Sequence, residues 1–312
     1  MSVLYIVAGI ALLYLGGERL VASAAHLARG LGISPMTIGL TVVAFGTSSP
    51  EMLATPAAAF RGNPGIAVGN VVGSNIANIG LILAITAIMA PIRTNARFIK
   101  REIPFMIGVG ILVVPFLLDG VLGRIEGFVL LGLLAAYVWF LLWGGEAPDV
   151  EDEFAREYGA AAGPAWRNWL GVALGLAVLV FGAHLLVTGA ADVARSLGIP
   201  DLVIGLTVVA IGTSLPELAT SIVAAVKGEP DIALGNIVGS SIFNVLCILG
   251  TTALIRPLAT PFDAVAVDLL VMIGFSALAL PFLLTGLRLG RLEGAALLGL
   301  YAAYAASLFV WL

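Results

Sequence analysis

Residues 31–51 read LGISPMTIGLTVVAFGTSSPE, and the pattern returns at residues 197–217 as LGIPDLVIGLTVVAIGTSLPE. The two stretches are offset by 166 residues, and the match continues at that offset, without a gap, through the next apolar segment. A gap-free match of this length indicates an internal repeat. The matching residues of the next segment are Gly69, Asn70, Gly73, Ser74, Ile76 and Asn78 in the first half, and Gly235, Asn236, Gly239, Ser240, Ile242 and Asn244 in the second.

The composition predicts an integral membrane protein. Of the 312 residues, 60% are hydrophobic and only 11% are charged, whereas a soluble domain has roughly a quarter charged residues. The apolar runs are long and lack the alternation of a membrane barrel, so we expect an all-α polytopic protein. Ten transmembrane helices are predicted, at about 3–28, 34–60, 65–90, 97–118, 122–144, 168–195, 201–226, 231–255, 263–285 and 290–311.

The repeat and the spans together predict three parts of the chain. Residues 1–144 form a first five-helix repeat, whose motif covers 39–83, and residues 168–312 form a second, whose motif covers 205–249. Residues 145–167 form an acidic linker between them. Because each repeat has an odd number of spans, the second enters the membrane in the opposite sense. Inverted repeats of this kind are typical of secondary transporters, whose binding site lies near the bilayer midplane.

The distribution of basic residues predicts the orientation, because cytoplasmic loops are enriched in Lys and Arg. With both termini outside and the linker in the cytoplasm, ten basic residues lie in cytoplasmic loops and four in outside loops. The ten are Arg29, Arg93, Arg97, Lys100, Arg101, Arg156, Arg167, Lys227, Arg288 and Arg291, and the four are Arg61, Arg124, Arg195 and Arg256.

Several other features carry little functional information. No basic residue precedes the first apolar run, so we expect no cleavable signal peptide. The single cysteine, Cys247, is expected to be a core residue. Nothing in the chain indicates nucleic-acid binding. Glu18 and Arg19 lie within the first span and His184 matches Glu18 in the second half; they form either a gate or, as we favour, an interfacial anchor.

Two glutamates carry the functional prediction. Glu51 and Glu217 occupy equivalent places inside apolar spans, and intramembrane acids usually face a cavity, a partner or a bound cation. Pro50 and Pro216 precede them, and a proline cannot donate the helical hydrogen bond to the carbonyl four residues before it. We therefore expect a broken helix whose freed carbonyls lie beside each carboxylate.

The neighbouring side chains supply only oxygen ligands. Thr47 and Ser48 lie one turn before Glu51, Thr213 and Ser214 do the same for Glu217, and Ser74/Asn78 and Ser240/Asn244 share helix faces in the following spans. Oxygen ligands suit hard cations, and calcium takes six to eight of them. The glycine pairs of these spans, such as Gly69/Gly73, are expected to let helices approach closely.

With these motifs in view, the chain resembles the calcium/cation antiporter superfamily, most closely its prokaryotic sodium/calcium exchanger branch. GTSSPE and GTSLPE, each followed by G-S-x-I-x-N, look like the two alpha-repeats of that superfamily. The resemblance implies a sodium/calcium exchanger-like fold without a cofactor. It also implies a central calcium site made by Glu51, Glu217 and the carbonyls of Thr47 and Thr213. Sodium sites would use Ser48, Ser74 and the Ala44 carbonyl, and Ser214, Ser240 and the Ala210 carbonyl, with Asn78 and Asn244 lining the middle.

The expected function is therefore Na⁺/Ca²⁺ antiport, with Ca²⁺, Na⁺ and the lipid bilayer as partners and a single chain as the transport unit. Some relatives carry Asp where Asn244 stands, and the amide favours transport that is independent of potassium. The alternatives are an H⁺/Ca²⁺ or other divalent cation antiporter and, less favoured, a cation channel. No catalytic arrangement of an intramembrane enzyme is visible in the spans.

Overall fold

The computed structural model describes residues 1–143, 164–198 and 210–310, and their regular structure is almost entirely helical. In chain order the helices are α1 Ser2–Leu31, α2 Pro35–Thr47, α3 Ser49–Phe60, α4 Pro64–Met89, α5 Ala96–Leu117, α6 Arg124–Trp143, α7 Ala165–Ser196, α8 Ala210–Thr213, α9 Leu215–Val226, α10 Pro230–Ile255, α11 Ala266–Leu284 and α12 Arg291–Val310. The described residues also form short strands: β1 Ile92–Arg93, β2 Val121–Leu122, β3 Leu258–Ala259 and β4 Arg288–Leu289.

Many of these helices are those of a membrane protein. Among the described residues, α1, α4, α6, α7, α10 and α11 are long and apolar enough to cross a bilayer, and α2 and α9 are shorter apolar helices. Their ends lie close to the predicted ones, as for span 65–90, which corresponds to Pro64–Met89. Most of the predicted linker 145–167, namely residues 145–163, and the start of the second motif at 205–209 lie outside the described residues.

The described chain divides into two compact units. Unit 1 contains Met1–Thr47 and Ala135–Asn236, and unit 2 contains Ser48–Leu134 and Ile237–Leu312. Each unit thus draws on both halves of the sequence. The compact units are a division in space and the repeats a division in sequence, so the repeat boundaries stay a prediction.

Unit 1 is built on the contact between α1 and α7, which pack along each other. Glycines allow this, because a Cβ atom at Gly9 would lie 2.7 Å from the Leu186 nitrogen and one at Gly175 would lie 2.7 Å from the Leu20 nitrogen. Buried apolar side chains, among them Leu20 and Leu179, fill the space around these crossings.

Unit 2 is built on the contacts of α5 with α11 and of α4 with α12. Two antiparallel ladders lie at opposite ends of the α5 and α11 pair: β1 pairs with β4, and β2 with β3. The sequence did not predict these strands, because two residues are too few for a periodic pattern to be read.

The glycine pairs of the two repeats are described to different extents. Gly235 packs as predicted, since a Cβ there would lie 2.8 Å from the Met36 carbonyl oxygen and 2.9 Å from Gly39 Cα. A Cβ at Gly69 or Gly73 would meet no described atom within 4 Å, but residues 199–209, which match the segment that Gly235 contacts, lie outside the described residues. The expectation for Gly69 and Gly73 therefore stays a prediction.

Candidate functional site

The first glutamate lies where a helix breaks. Helix α2 ends at Thr47, Ser48 has φ −77° and ψ 9°, and α3 begins at Ser49 with Pro50 in its first turn. The break is at the place that Pro50 predicts. Glu51 follows in the first turn of α3 and is 1% exposed. A carboxylate in the first turn of a helix interacts favourably with the helix dipole.

The second glutamate has the same local structure. Helix α8 ends at Thr213, Ser214 has φ −91° and ψ 6°, and α9 begins at Leu215 with a proline in its first turn. Glu217 lies in that first turn and is also 1% exposed. The repeated sequence thus gives the same broken helix twice, each time with a buried carboxylate just after the break.

Unit 1 contains six of the predicted site residues, and two of them, Thr47 and Glu217, are joined there by a residue that the ligand prediction omitted. It contains Ala44, Thr47, Ala210, Thr213, Ser214 and Glu217. The Thr47 hydroxyl donates to Asn236 Oδ1 (2.9 Å), and Asn236 Nδ2 donates to Ser221 Oγ (3.0 Å) and to the Glu217 carbonyl (3.3 Å). Thr47, Ser221 and Asn236 are each 0% exposed. The Asn236 amide therefore ties the end of α2 to the helix that carries Glu217.

The Thr47 hydroxyl lies 2.9 Å from Asn236 Oδ1 and 3.3 Å from the Ala44 carbonyl. A hydroxyl has a single hydrogen to donate, and the shorter contact indicates where it points. Donation leaves the lone pairs of the oxygen available, so this oxygen and the backbone carbonyl of Thr47 are both candidate cation ligands. The resemblance implied the carbonyl.

Unit 2 contains the remaining predicted residues: Ser48, Glu51, Ser74, Asn78, Ser240 and Asn244. Asparagines of α4 and α10 are joined there by direct hydrogen bonds. Asn75 Nδ2 donates to the Ser241 carbonyl (3.0 Å), Asn78 Nδ2 to Ser241 Oγ (3.3 Å) and Asn244 Nδ2 to Asn75 Oδ1 (3.0 Å). All four side chains are at least 95% buried. Asn244 Oδ1 accepts no hydrogen bond from any described residue and is an available neutral oxygen.

Both predicted asparagines begin a π-helical turn. The turns cover Asn78–Leu83 in α4 and Asn244–Leu249 in α10, and they are equivalent in the repeat. Turns of this kind are rare and occur frequently at functional sites. Sequence reasoning missed them, although it named the residue at which each one starts.

The residues that the prediction missed are Asn236, Ser221, Asn75 and Ser241. One signal for them was present, since Asn236 is matched by Asn70, and Ser221 is matched by the equally polar Thr55. Asn75 and Ser241 occupy equivalent positions with different residues, so the repeat gave no reason to pair them.

Two further acids at equivalent positions of the repeat each have a polar partner within the fold. Glu102 of α5 is 1% exposed and forms an ion pair with Arg101. Asp268, 166 residues later, accepts a hydrogen bond from the Tyr304 hydroxyl (2.8 Å). A buried acid with such a partner is explained by stability alone, so these two do not extend the candidate site.

Glu18 of α1 forms an ion pair with Lys227, which follows the last residue of α9. Both side chains are at least 40% exposed, so the pair contributes little to stability. The hydrogen bond to Glu18 raises the pKa of the Lys227 ammonium above its ordinary value. The pair links α1 to the end of the glutamate-bearing helix within unit 1.

The donor set of the described residues suits a hard cation. Within residues 1–143, 164–198 and 210–310, no group of three His, Cys, Asp or Glu side chains is placed to hold a metal ion. A cation bound at either glutamate would therefore depend on neutral oxygens from carbonyls, hydroxyls and amides. Such ligands are typical of calcium and sodium and not of zinc or copper.

Comparison with known proteins assigns the chain to a family. Residues 1–143 and 167–310 match the family model described as sodium/calcium exchanger protein. The chain belongs to this family. It is 43% identical, over 99% of its length and 98% of the relative, to "Putative antiporter CaxA" of Alkalimonas amylolytica. It is 34% identical, over 98% of both proteins, to "Sodium/calcium exchanger MaX1" of Methanosarcina acetivorans.

The fold is shared with a solved exchanger. The sodium-calcium exchanger NCX_Mj, in a structure soaked with 10 mM Na⁺ and zero Ca²⁺, superposes with a TM-score of 0.84 and 33% identity over 98% of each chain. The protein is therefore a helical membrane protein of the calcium/cation antiporter superfamily, and its relatives are transporters, not enzymes. The resemblance identified from the sequence is confirmed.

Proposed function

We propose that this protein exchanges Na⁺ for Ca²⁺ across the membrane by alternating access. The proposal rests on one structural motif that occurs twice: a helix broken near a proline, with a buried glutamate in the turn after the break. The names of two relatives, MaX1 and NCX_Mj, support the same pair of ions.

The proposed calcium site consists of Glu51, Glu217 and the carbonyls of Thr47 and Thr213. Two bidentate carboxylates and two carbonyls supply about six oxygens, which is within the range calcium prefers. The proposed sodium ligands are Ser48, Ser74 and the Ala44 carbonyl in one repeat, and Ser214, Ser240 and the Ala210 carbonyl in the other. Asn78 and Asn244 contribute neutral oxygens between them.

The mechanism follows from charge. Two carboxylates that share one site repel each other, so an empty site resists closing off from water. One calcium ion or several sodium ions neutralise the pair and permit the change of access. If only loaded states change access, exchange results without leak.

The proposed topology has ten spans in two inverted repeats, 1–144 and 168–312, with both termini outside and the acidic linker in the cytoplasm. Cys247 is buried, which makes an introduced cysteine easy to follow. A cysteine placed at Ser2 should react with an impermeant maleimide added to intact cells, and one placed at Glu151 should react only after lysis. The opposite pattern would reverse the proposed orientation.

The decisive experiment replaces Glu51 by Gln in purified protein reconstituted into liposomes. The amide keeps the size of the side chain and removes its charge, so sodium-driven calcium uptake should fall at least about a hundredfold, which corresponds to about 2.7 kcal/mol. Asp192→Asn is a matched control, because Asp192 is an exposed acid paired with Arg195 near the end of α7. Ordinary uptake by the Glu51→Gln variant would refute the proposed site.

The second candidate is H⁺/Ca²⁺ antiport, since the names of CaxA and of "Inner membrane protein YrbG" of Escherichia coli (strain K12) do not specify a coupling ion. Replacing external sodium by choline distinguishes the two. Calcium movement should stop without a sodium gradient, and a pH gradient alone should not restore it. Replacing potassium by choline should leave the rate unchanged, because the central positions 78 and 244 both carry amides and not carboxylates.

A further inference from the structure

The two ladders of unit 2 occupy equivalent places in the repeat and differ in one pair of residues. The ladder β1–β4 places Arg93 opposite Arg288, and the ladder β2–β3 places Val121 opposite Ala259. Arg93 precedes Ala259 by 166 residues. Val121 precedes Arg288 by 167, an offset fixed by the matching LGRIEG and LGRLEG at residues 122–127 and 289–294. One ladder thus carries two arginines where the other carries two small apolar residues.

The two arginines form no ion pair among the described residues. Like charges directly opposite each other in a ladder are destabilising. The nearby carboxylate of Glu293 accepts the Gly290 N–H (3.1 Å) at the start of α12. Its bond is an ordinary helix cap, made identically by Glu126 in the other repeat. A bound anion would compensate the two guanidinium groups.

The backbone beside Arg288 is strained. Leu287 has φ +52°, and no other non-glycine residue among those described has a positive φ. The second repeat has one extra residue at this turn, and that residue is Leu287. In the first repeat the equivalent turn has Gly120, with φ +80°, directly before the strand. A left-handed conformation costs a leucine about 1–2 kcal/mol. Strain of this kind is found preferentially at ligand sites, and here it shapes the turn that presents Arg288.

A cavity of about 700 Å³ lies at this turn. Its lining includes Arg93, Thr94, Thr285, Leu287, Arg288 and Glu293. A smaller cavity of about 310 Å³ shares Arg288 and Glu293, and its lining also includes Pro91, Arg291 and Leu292.

Both cavities lie where α4 and α11, which are long and apolar enough to span a bilayer, come to their ends. Leu292, in the smaller cavity, is 84% exposed. A cationic cavity thus adjoins exposed apolar surface at the end of spanning helices.

We propose that this cavity binds the phosphate group of an anionic phospholipid. Arginine matches phosphate geometry with two parallel hydrogen bonds, which makes a pair of arginines a strong phosphate site. Basic pockets between spanning helices are a known type of lipid head-group site. The Arg93 and Arg288 guanidinium groups hold the phosphate, and Leu292 contacts the acyl region. The site is distinct from both glutamate-bearing helices and does not depend on the proposed ion coupling.

The test uses a double variant that copies the other ladder, Arg93→Ala with Arg288→Val. Wild-type and variant proteins are placed in phosphatidylcholine nanodiscs that contain increasing fractions of phosphatidylglycerol. Retained lipid is counted by native mass spectrometry, and the unfolding midpoint is measured. The wild type should retain phosphatidylglycerol and be stabilised by it, and the variant should bind it at least about tenfold more weakly. A charge-matched control, Arg61→Ala with Arg256→Ala, should behave as the wild type does.

Three results would overturn the proposal. The first is equal phosphatidylglycerol retention by the wild type and the Arg93/Arg288 variant. The second is stabilisation by inorganic phosphate in detergent together with no preference for phosphatidylglycerol, which would indicate a free-anion site. The third is a preference for phosphatidylglycerol that is absent from the wild type and appears only when the six acids of the linker are replaced by amides. That result would indicate that the linker competes with the lipid for the cavity. Calcium uptake in phosphatidylcholine liposomes, expected to be unchanged in the variant, verifies that it folds; each single variant provides a second sample if it does not.

Discussion

The two glutamate-bearing helices have nearly the same sequence and different support. Asn236 is fully buried and bonds to Thr47, Ser221 and the Glu217 carbonyl. Its counterpart Asn70 is half-buried and, among the described residues, donates one hydrogen bond, to Thr55 (2.9 Å). The motif therefore specifies the local shape of each helix, and its surroundings decide how firmly that helix is held.

The glycine next to Asn236 adds to this support, because Gly235 is packed against α2 within unit 1. Variants made in matched pairs, one in each repeat, can therefore separate what the motif contributes from what the packing contributes.

The largest expected effect tests what the two helices share. Glu217→Gln should reduce sodium-driven calcium uptake as strongly as Glu51→Gln, at least about a hundredfold, because each removes one of two equivalent buried charges. The measurement is initial uptake rate in liposomes over a range of calcium concentrations. A large loss in one variant and a small loss in the other would show that the two carboxylates do not serve one ion equally.

The next effect tests how the helices differ. Asn236→Ala should lower stability by about 1–3 kcal/mol for each buried polar group it leaves without a partner, and should raise the calcium KM more than it lowers the maximal rate. Asn70→Ala should cost less than about 1 kcal/mol, because water replaces the lost bond at a half-exposed site. Thermal unfolding in detergent gives the first quantity and liposome flux the second. Equal costs for the two variants would remove the distinction between the two sites.

A smaller effect is expected from the acceptors of these two amides. Ser221→Ala removes one bond of Asn236 and should destabilise the protein by about 1 kcal/mol. Thr55→Val removes the bond of Asn70, keeps the side-chain volume and should cost less. The unfolding midpoints of the two variants measure these losses. A larger loss of stability in Thr55→Val than in Ser221→Ala would contradict the prediction.

The smallest effect concerns the residue before the helix that follows each glutamate. Burial raises the pKa of Glu229, with Arg29 opposing this and Asp231 adding to it. A raised carboxyl pKa means that the folded state binds the proton more tightly, so stability falls as the pH rises through the ordinary glutamate range to the raised pKa. Asn63 is the counterpart of Glu229. Glu229→Asn should therefore raise the unfolding midpoint slightly at neutral pH and change it less at pH 4, and the reverse pH order would contradict the shift.

The sequence predicted those features that depend on local chemistry. Pro50 and Pro216 lack an N–H, so the helix breaks near Ser48 and Ser214 follow from residue type alone. The repeat predicted that Glu51 and Glu217 would have matching environments, and both are buried in the first turn of a helix. Family membership followed from the same residues.

Features that depend on long-range packing could not be predicted. The hydrogen bonds of Thr47 with Asn236 and of Asn75 with Ser241 join residues more than 160 positions apart. Nothing in a helical pattern identifies such partners. The two-residue ladders are too short to have a period, and the strain at Leu287 arises from a single inserted residue whose backbone angles no side-chain pattern reveals.

The π turns at Asn78 and Asn244 have a consequence for chain length. Each of these turns contains one residue more than an α-helix of the same rise would hold, and an α-helix rotates about 100° per residue. Deleting one residue between Ile79 and Leu83 would let α4 become regular, but the last turns of α4 and the strand after it would rotate by about that angle. Arg93 would then leave its register with Arg288. The length of this helix is thus constrained at two places. The position of Asn78 constrains where the π turn begins, and the register of Arg93 with Arg288 constrains where the helix ends.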